Sequence, residues 1–124
     1  MGHGDEIVLG DGNFPAASNA QRLVRCDGHG VPELLEAILD LFPLDEYNDN
    51  PVALMAVVPG DKTPMPPIWK TYENILLKHG LTPDKIKQTE RFEFYERAKK
   101  AYAIVASGES AVYANILLKK GVIK

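Results

Sequence analysis

The chain has 124 residues, 45% of them hydrophobic and 25% charged, the balance of a globular domain and not of a disordered, collagenous or low-complexity chain. Its formal charge is −3 and it carries one cysteine, Cys26, which excludes an intramolecular disulfide and argues against a Cys-based zinc site and a strongly basic nucleic-acid surface. The longest apolar run, Val52–Val58, is far short of the roughly 20 residues of a membrane helix, and the acidic, Gly-rich start is no signal peptide, so the expectation is a single cytoplasmic domain over 1–124 with no membrane or nucleic-acid partner.

Glu6–Leu9 is short, β-branched and bounded by Gly10-Asp11-Gly12, a buried strand that stops in a polar turn. Gln21–Cys26 alternates loosely up to Asp27-Gly28 and predicts a second strand. Pro32 stands at a helix N1 position. Leu34, Leu35, Ile38, Leu39 and Phe42 follow at helical spacing until Pro43 ends the helix. Val52–Val58 is apolar throughout, as in a strand buried on both faces, and Pro59-Gly60 closes it. The Pro-rich stretch from Thr63 to Pro67 leads into a helix with Ile68, Trp69, Tyr72, Ile75 and Leu76 as its apolar face and Gly80 as its C′ residue. Ile86–Thr89 predicts a short strand. Phe92–Lys100 predicts a helix, with Glu93, Glu96, Arg97 and Lys100 spaced for ion pairs. Ala101–Ala106 and Ala114–Val122 predict the last two strands. Strands alternating with helices give an α/β domain with a mixed, partly parallel sheet flanked by helices. Neither a dinucleotide-binding nor a P-loop glycine motif occurs, so nucleotide binding has no support.

Polar groups gather at three places. His3 precedes the first strand and Asp11 follows it; His is the side chain best suited to exchange protons near neutral pH. The plain alternative is a mobile N-terminal His and a turn Asp. In Glu90–Arg97, aromatic rings interleave with charge, a pattern that can stack on a sugar ring and bond its hydroxyls. For Phe92 and Phe94 the core is the better reading, whereas Arg91 and Tyr95 are less settled, because each carries a polar group that needs a partner. Tyr113-Ala114-Asn115 enters the last strand, where Tyr and Asn also serve as ordinary strand-end and turn residues. Asp45, after Pro43-Leu44, either caps a turn or reaches a ligand. His29 reads as a loop residue, and His79 as a helix C-terminal residue favoured by the dipole. Three His without HxH or HExxH spacing make a metal site improbable. Ser18, Ser107 and Ser110 lack a nucleophile-elbow setting.

Taken in order, these clusters resemble the fucose-mutarotase branch of the ribose-pyranase and fucose-mutarotase family. The similarity runs through four blocks: Gly2-His3-Gly4-Asp5-Glu6-Ile7-Val8-Leu9 continuing to Asp11 and Asn13-Phe14-Pro15-Ala16, then Arg25-Cys26-Asp27-Gly28, then Glu90 through Ala101, then Gly108-Glu109 with Tyr113 through Val122. The resemblance implies a compact α/β fold, homo-oligomers with sites near subunit interfaces, and interconversion of the α and β anomers of L-fucose without cofactor or metal. It implies His3 as the proton donor and Tyr95 as a second catalytic group. It implies Asp11, Asp45, Arg91, Tyr113 and Asn115 as sugar-binding residues, with Asp11 either orienting His3 or holding a hydroxyl. A D-ribose pyranase-type isomerase and a non-catalytic monosaccharide-binding protein are the alternatives. The family commonly has Gly where this chain has Ala114, a strained substitution if that position needs φ > 0 and one that fits if the Gly is merely small. Family members carry a further helix before Gly-His-Gly-Asp. The expectation is therefore a family domain without its first helix, its core retained and His3 less firmly placed.

Overall fold

The structure, a computed structural model, describes residues 1–46, 50–61 and 65–122. Residues 63 and 64 of the Pro-rich lead-in lie outside the described residues. Six strands form one sheet: β1 (Glu6–Gly10), β2 (Leu23–Cys26), β3 (Val52–Met55), β4 (Ile86–Thr89), β5 (Ala103–Ser107) and β6 (Ile116–Lys119). Their order across the sheet is β2-β5-β1-β6-β3-β4. The pairs β1–β5, β2–β5 and β3–β4 are parallel, and β6 runs antiparallel to both β1 and β3. The mixed, mostly parallel sheet is the one expected.

Helices cover both faces, so the central strands are apolar on both sides. Helices α2 (Val31–Leu41) and α3 (Pro67–Lys78) cover one face, where Val31, Leu35, Trp69, Tyr72 and Leu76 pack with Leu9, Leu54, Ile116 and Leu118. The other face carries α1 (Ala16–Asn19) and α4 (Arg91–Lys100), where Ala16, Phe94 and Ala98 pack with Val8, Ala53, Ile104 and Leu117. Leu117 and Leu118 thus face opposite layers, as the two-residue period of a strand requires. No helix among the described residues is long and apolar enough to cross a membrane.

Three expectations are corrected. The four-residue α1 was not foreseen; it has no periodic signal at that length. The strand over Val52–Val58 stops at Met55: Ala56 N–H still reaches Thr89 carbonyl at 2.7 Å, but the chain then leaves β4 for the turn at Gly60. Phe92 is 62% exposed, whereas Phe94 is fully buried. Two residues apart on a helix is about 200° of rotation, so both cannot face the sheet, and Ala98, four residues beyond Phe94, settles which does.

Candidate active site

Asp11 directly follows β1, and burial pushes its carboxyl up from the ordinary Asp value, against the N–H groups that its oxygens accept. Oδ1 accepts Asn13 N–H at 3.0 Å and Oδ2 accepts Ala114 N–H at 3.3 Å. Its own N–H donates to Asn115 Oδ1 at 2.8 Å, which locks Asn115 against β1. Asn115 precedes β6 and is buried, with Nδ2 lying 4.0 Å from Met55 Sδ. These groups meet where β1, β3, β4 and β5 end and β6 begins. Ligands of open α/β sheets bind in such a crevice, outside the carboxyl ends of the strands.

Tyr113 has φ 53°, the one non-glycine positive φ among the described residues. For an L side chain this costs about 1–2 kcal/mol. Its phenol donates to Asp61 Oδ2 at 2.8 Å and accepts Val58 N–H at 3.3 Å. The bond to the carboxylate holds the phenol above its ordinary pKa, and Arg91 lies near enough to oppose that electrostatically. Arg91 starts α4, capped by Glu90, whose carboxylate accepts Phe92 and Glu93 N–H. The Arg91 guanidinium stacks on the Phe92 ring at 4.7 Å. Tyr95, one turn on, packs against Phe14 and Phe92 with centroids 5.7 and 6.5 Å apart. Glu109 ties the surrounding loops: its carbonyl accepts Gly12 N–H at 2.8 Å and its carboxylate accepts Val31 N–H at 3.0 Å, at the start of α2.

His3 and Asp45 sit elsewhere. Gly4 N–H bonds Lys120 carbonyl, and Asp45 N–H bonds Lys119 carbonyl, so both residues belong where β1 begins and β6 ends. His3 Nε2 lies 3.2 Å from Asp45 Oδ1, with the His side chain 48% exposed and the Asp 8%. A cavity of about 610 Å³ lies between residues 39–46 and the segment from His79 to Lys85, with Asp45 on its wall. β1 alone spans about 13 Å, so Asp11 does not orient His3 within one chain; Asp45 does. The structure therefore groups Asp11, Arg91, Tyr113 and Asn115 at one pole, with Tyr95 beside them, and His3 with Asp45 at the other.

Three residues at the Tyr113 turn were not singled out from sequence. Asp61 holds the Tyr113 phenol. Trp69 and Tyr72, read as core, also donate: Trp69 Nε1–H to Tyr113 carbonyl at 2.8 Å, Tyr72 hydroxyl to Ala114 carbonyl at 2.6 Å. The available signal was that buried Trp and Tyr almost always find a partner for their N–H or O–H. Ala114 itself does not have positive φ, so of the two readings Ala fits there, and the positive φ falls one residue earlier, at Tyr113. A second cluster, Glu36, Asp40 and His79, brings ligand atoms within 4.8 Å of one another. Glu36 there is paired with Lys78 and His79, both at 2.9 Å, and these partners pull its carboxyl below the ordinary Glu value. That makes it an ion-paired staple between α2 and α3.

Comparison with known proteins agrees across the chain. A model described as the RbsD / FucU transport protein family matches residues 1–123. The chain is 54% identical over 128 aligned positions to the fucose mutarotase of Homo sapiens, covering 99% of this chain and 82% of that protein. A crystal structure of the fucose mutarotase in complex with L-fucose from Streptococcus pneumoniae superposes with a TM-score of 0.96 at 56% identity, covering 100% of this chain and 87% of that one. Bacillus subtilis RbsD complexed with D-ribose superposes at 0.76 with 21% identity over 100% of this chain and 87% of that one, a likeness of fold alone.

Proposed function

The chain belongs to the RbsD / FucU transport protein family, and from that premise we propose that it is an isomerase that interconverts the α and β anomers of L-fucose. One observation carries this: a fucose mutarotase solved with L-fucose bound shares the fold over the whole chain at 56% identity.

The reaction opens the pyranose ring. A proton reaches the ring oxygen, the anomeric hydroxyl gives one up, the C1–O5 bond breaks and the aldehyde forms. Rotation about C1–C2 and reclosure reverse both transfers on the other face. His3 is the acid–base group, with its imidazole oriented by Asp45 at 3.2 Å. Tyr95 is the second proton-transfer group. Asp11, Arg91, Tyr113 and Asn115 hold the sugar's hydroxyls, Asp11 and Asn115 already rigid through their mutual bond. The two poles lie at opposite ends of β1, so a site that uses both is built between copies of the chain. This geometry supports self-association into a homo-oligomer, with the His3 pole of one copy facing the Asn115 pole of another.

Saturation-transfer NMR on L-fucose reads the exchange between anomer signals directly. The expected result is exchange that His3→Ala reduces by at least about 10²-fold, the scale of one general acid–base group. Exchange on D-ribose alone would instead indicate a pyranase, and sugar binding without exchange would overturn the enzymatic assignment.

A further inference from the structure

Tyr113 occupies a backbone region that an L residue holds only when its surroundings over-determine it. Those surroundings are specific. The peptide plane joining Tyr113 to Ala114 is gripped at both ends: Trp69 Nε1–H donates to its carbonyl at 2.8 Å, and the Asp11 carboxylate accepts its N–H at 3.3 Å. The next plane is gripped by the Tyr72 hydroxyl on Ala114 carbonyl at 2.6 Å and leads into Asn115, itself fixed by Asp11 N–H at 2.8 Å. Neither plane can turn over without breaking a buried or half-buried bond.

Trp69 and Tyr72 stand three residues apart on α3, one helical turn, so their donors reach consecutive carbonyls from one rigid element. Both side chains are buried, Trp69 at 6% and Tyr72 at 0% exposure. Burial pushes the Tyr72 phenol up from its ordinary pKa, so it keeps the proton that it donates.

We propose that Trp69 and Tyr72 are positioning residues: through two backbone carbonyls they hold Tyr113 in its left-handed conformation and so set Tyr113 and Asn115 for the sugar before it arrives. The inference rests on the assignment of Tyr113 and Asn115 as sugar contacts. Ordering the turn in advance removes a cost that binding would otherwise bear.

The test uses Tyr72→Phe, which keeps the ring and removes only the hydroxyl, and Trp69→Phe, which keeps an aromatic ring in the core and removes the Nε1–H donor with the rest of the indole. In a concentration series of the L-fucose exchange measurement, each variant should raise KM by about 3- to 10-fold, the worth of one hydrogen bond, with kcat changed less. In a Tyr113→Gly background the same two changes should move KM by less than about 2-fold, because glycine takes positive φ without help. An unchanged KM, or an equal shift in both backgrounds, overturns the proposal and leaves the two donors merely structural. A readout free of catalysis separates this from the functional assignment. Trp69→Phe should shift the backbone amide signals of Tyr113, Ala114 and Asn115 in a nitrogen–proton NMR spectrum. If those signals stay in place, the positioning role fails even in an active enzyme. If the parent chain shows no exchange on fucose, the functional assignment fails and the amide signals still decide the turn.

Discussion

Asp11, proposed to hold the sugar, also weakens the fold. Its carboxyl is nearly closed off from solvent and is raised by that burial, even though Asn13 and Ala114 donate N–H groups to it. The folded chain thus holds this proton more tightly than the unfolded chain does. Its contribution to stability is complete below the ordinary value of 3.8 and is lost as pH rises through the raised value. Asp11→Asn cannot titrate. Its stability relative to the parent should therefore improve as pH climbs through that window and then level off, as urea denaturation at a series of pH values would reveal. A difference independent of pH would show that burial does not govern this carboxyl. His3, Asp11, Arg91, Tyr113 and Asn115 were all visible in the sequence as polar residues at element boundaries. What the residues alone could not show is which of them meet: eight positions separate His3 from Asp11, and β1 keeps them apart. Nor could they show that the positive φ belongs to Tyr113 and not to Ala114, because that follows from bonds made by Asp11, Trp69 and Tyr72, 41 or more positions away.

At the scale of elements, periodicity located every strand and the three long helices, and missed where tertiary bonds overrule it. The expected strand over Ala114–Val122 shrinks to Ile116–Lys119. Its start is cut back by the Tyr113 turn. At its other end, the bridge between Lys120 and Leu44 takes over the pairing. In α4 the two phenylalanines separate cleanly. Phe94 meets Phe14 edge-to-face at 6.0 Å inside the layer under the sheet. Phe94→Ala should cost about 3–5 kcal/mol, and Phe92→Ala, on the solvent side, less than about 0.5 kcal/mol. Denaturant midpoints of the two variants check this, and equal losses would mean that Phe92 is covered in the assembled protein.

For the molecule as a whole, the decisive arrangement is the pair of poles. On the two-copy arrangement, a chain with His3→Ala and a chain with Asn115→Ala fail for different reasons, each keeping the pole that the other has lost. Mixed in equal amounts after dissociation and reassembly, they should regain roughly a quarter of the parental exchange rate, because a site needs one sound pole from each of two independently drawn copies. No recovery after reassembly would place the whole site within a single chain. The family resemblance brought self-association into view; in the fold, β1 carries the chain from the His3 pole to the Asp11 pole and β6, antiparallel between β1 and β3, returns it, which is the geometry on which the proposed two-copy site rests.

That polarity also has a consequence for inheritance. On the proposed two-copy arrangement each site would draw on either pole once, so a defective His3 pole would disable only the site that it faces, and the same chain's other pole would still complete a neighbour's. Where sound and defective chains are made together, that arrangement has activity fall in simple proportion to dose. A lesion at either end of β1 would then behave as a loss confined to its own share of the sites, without poisoning the proposed assembly.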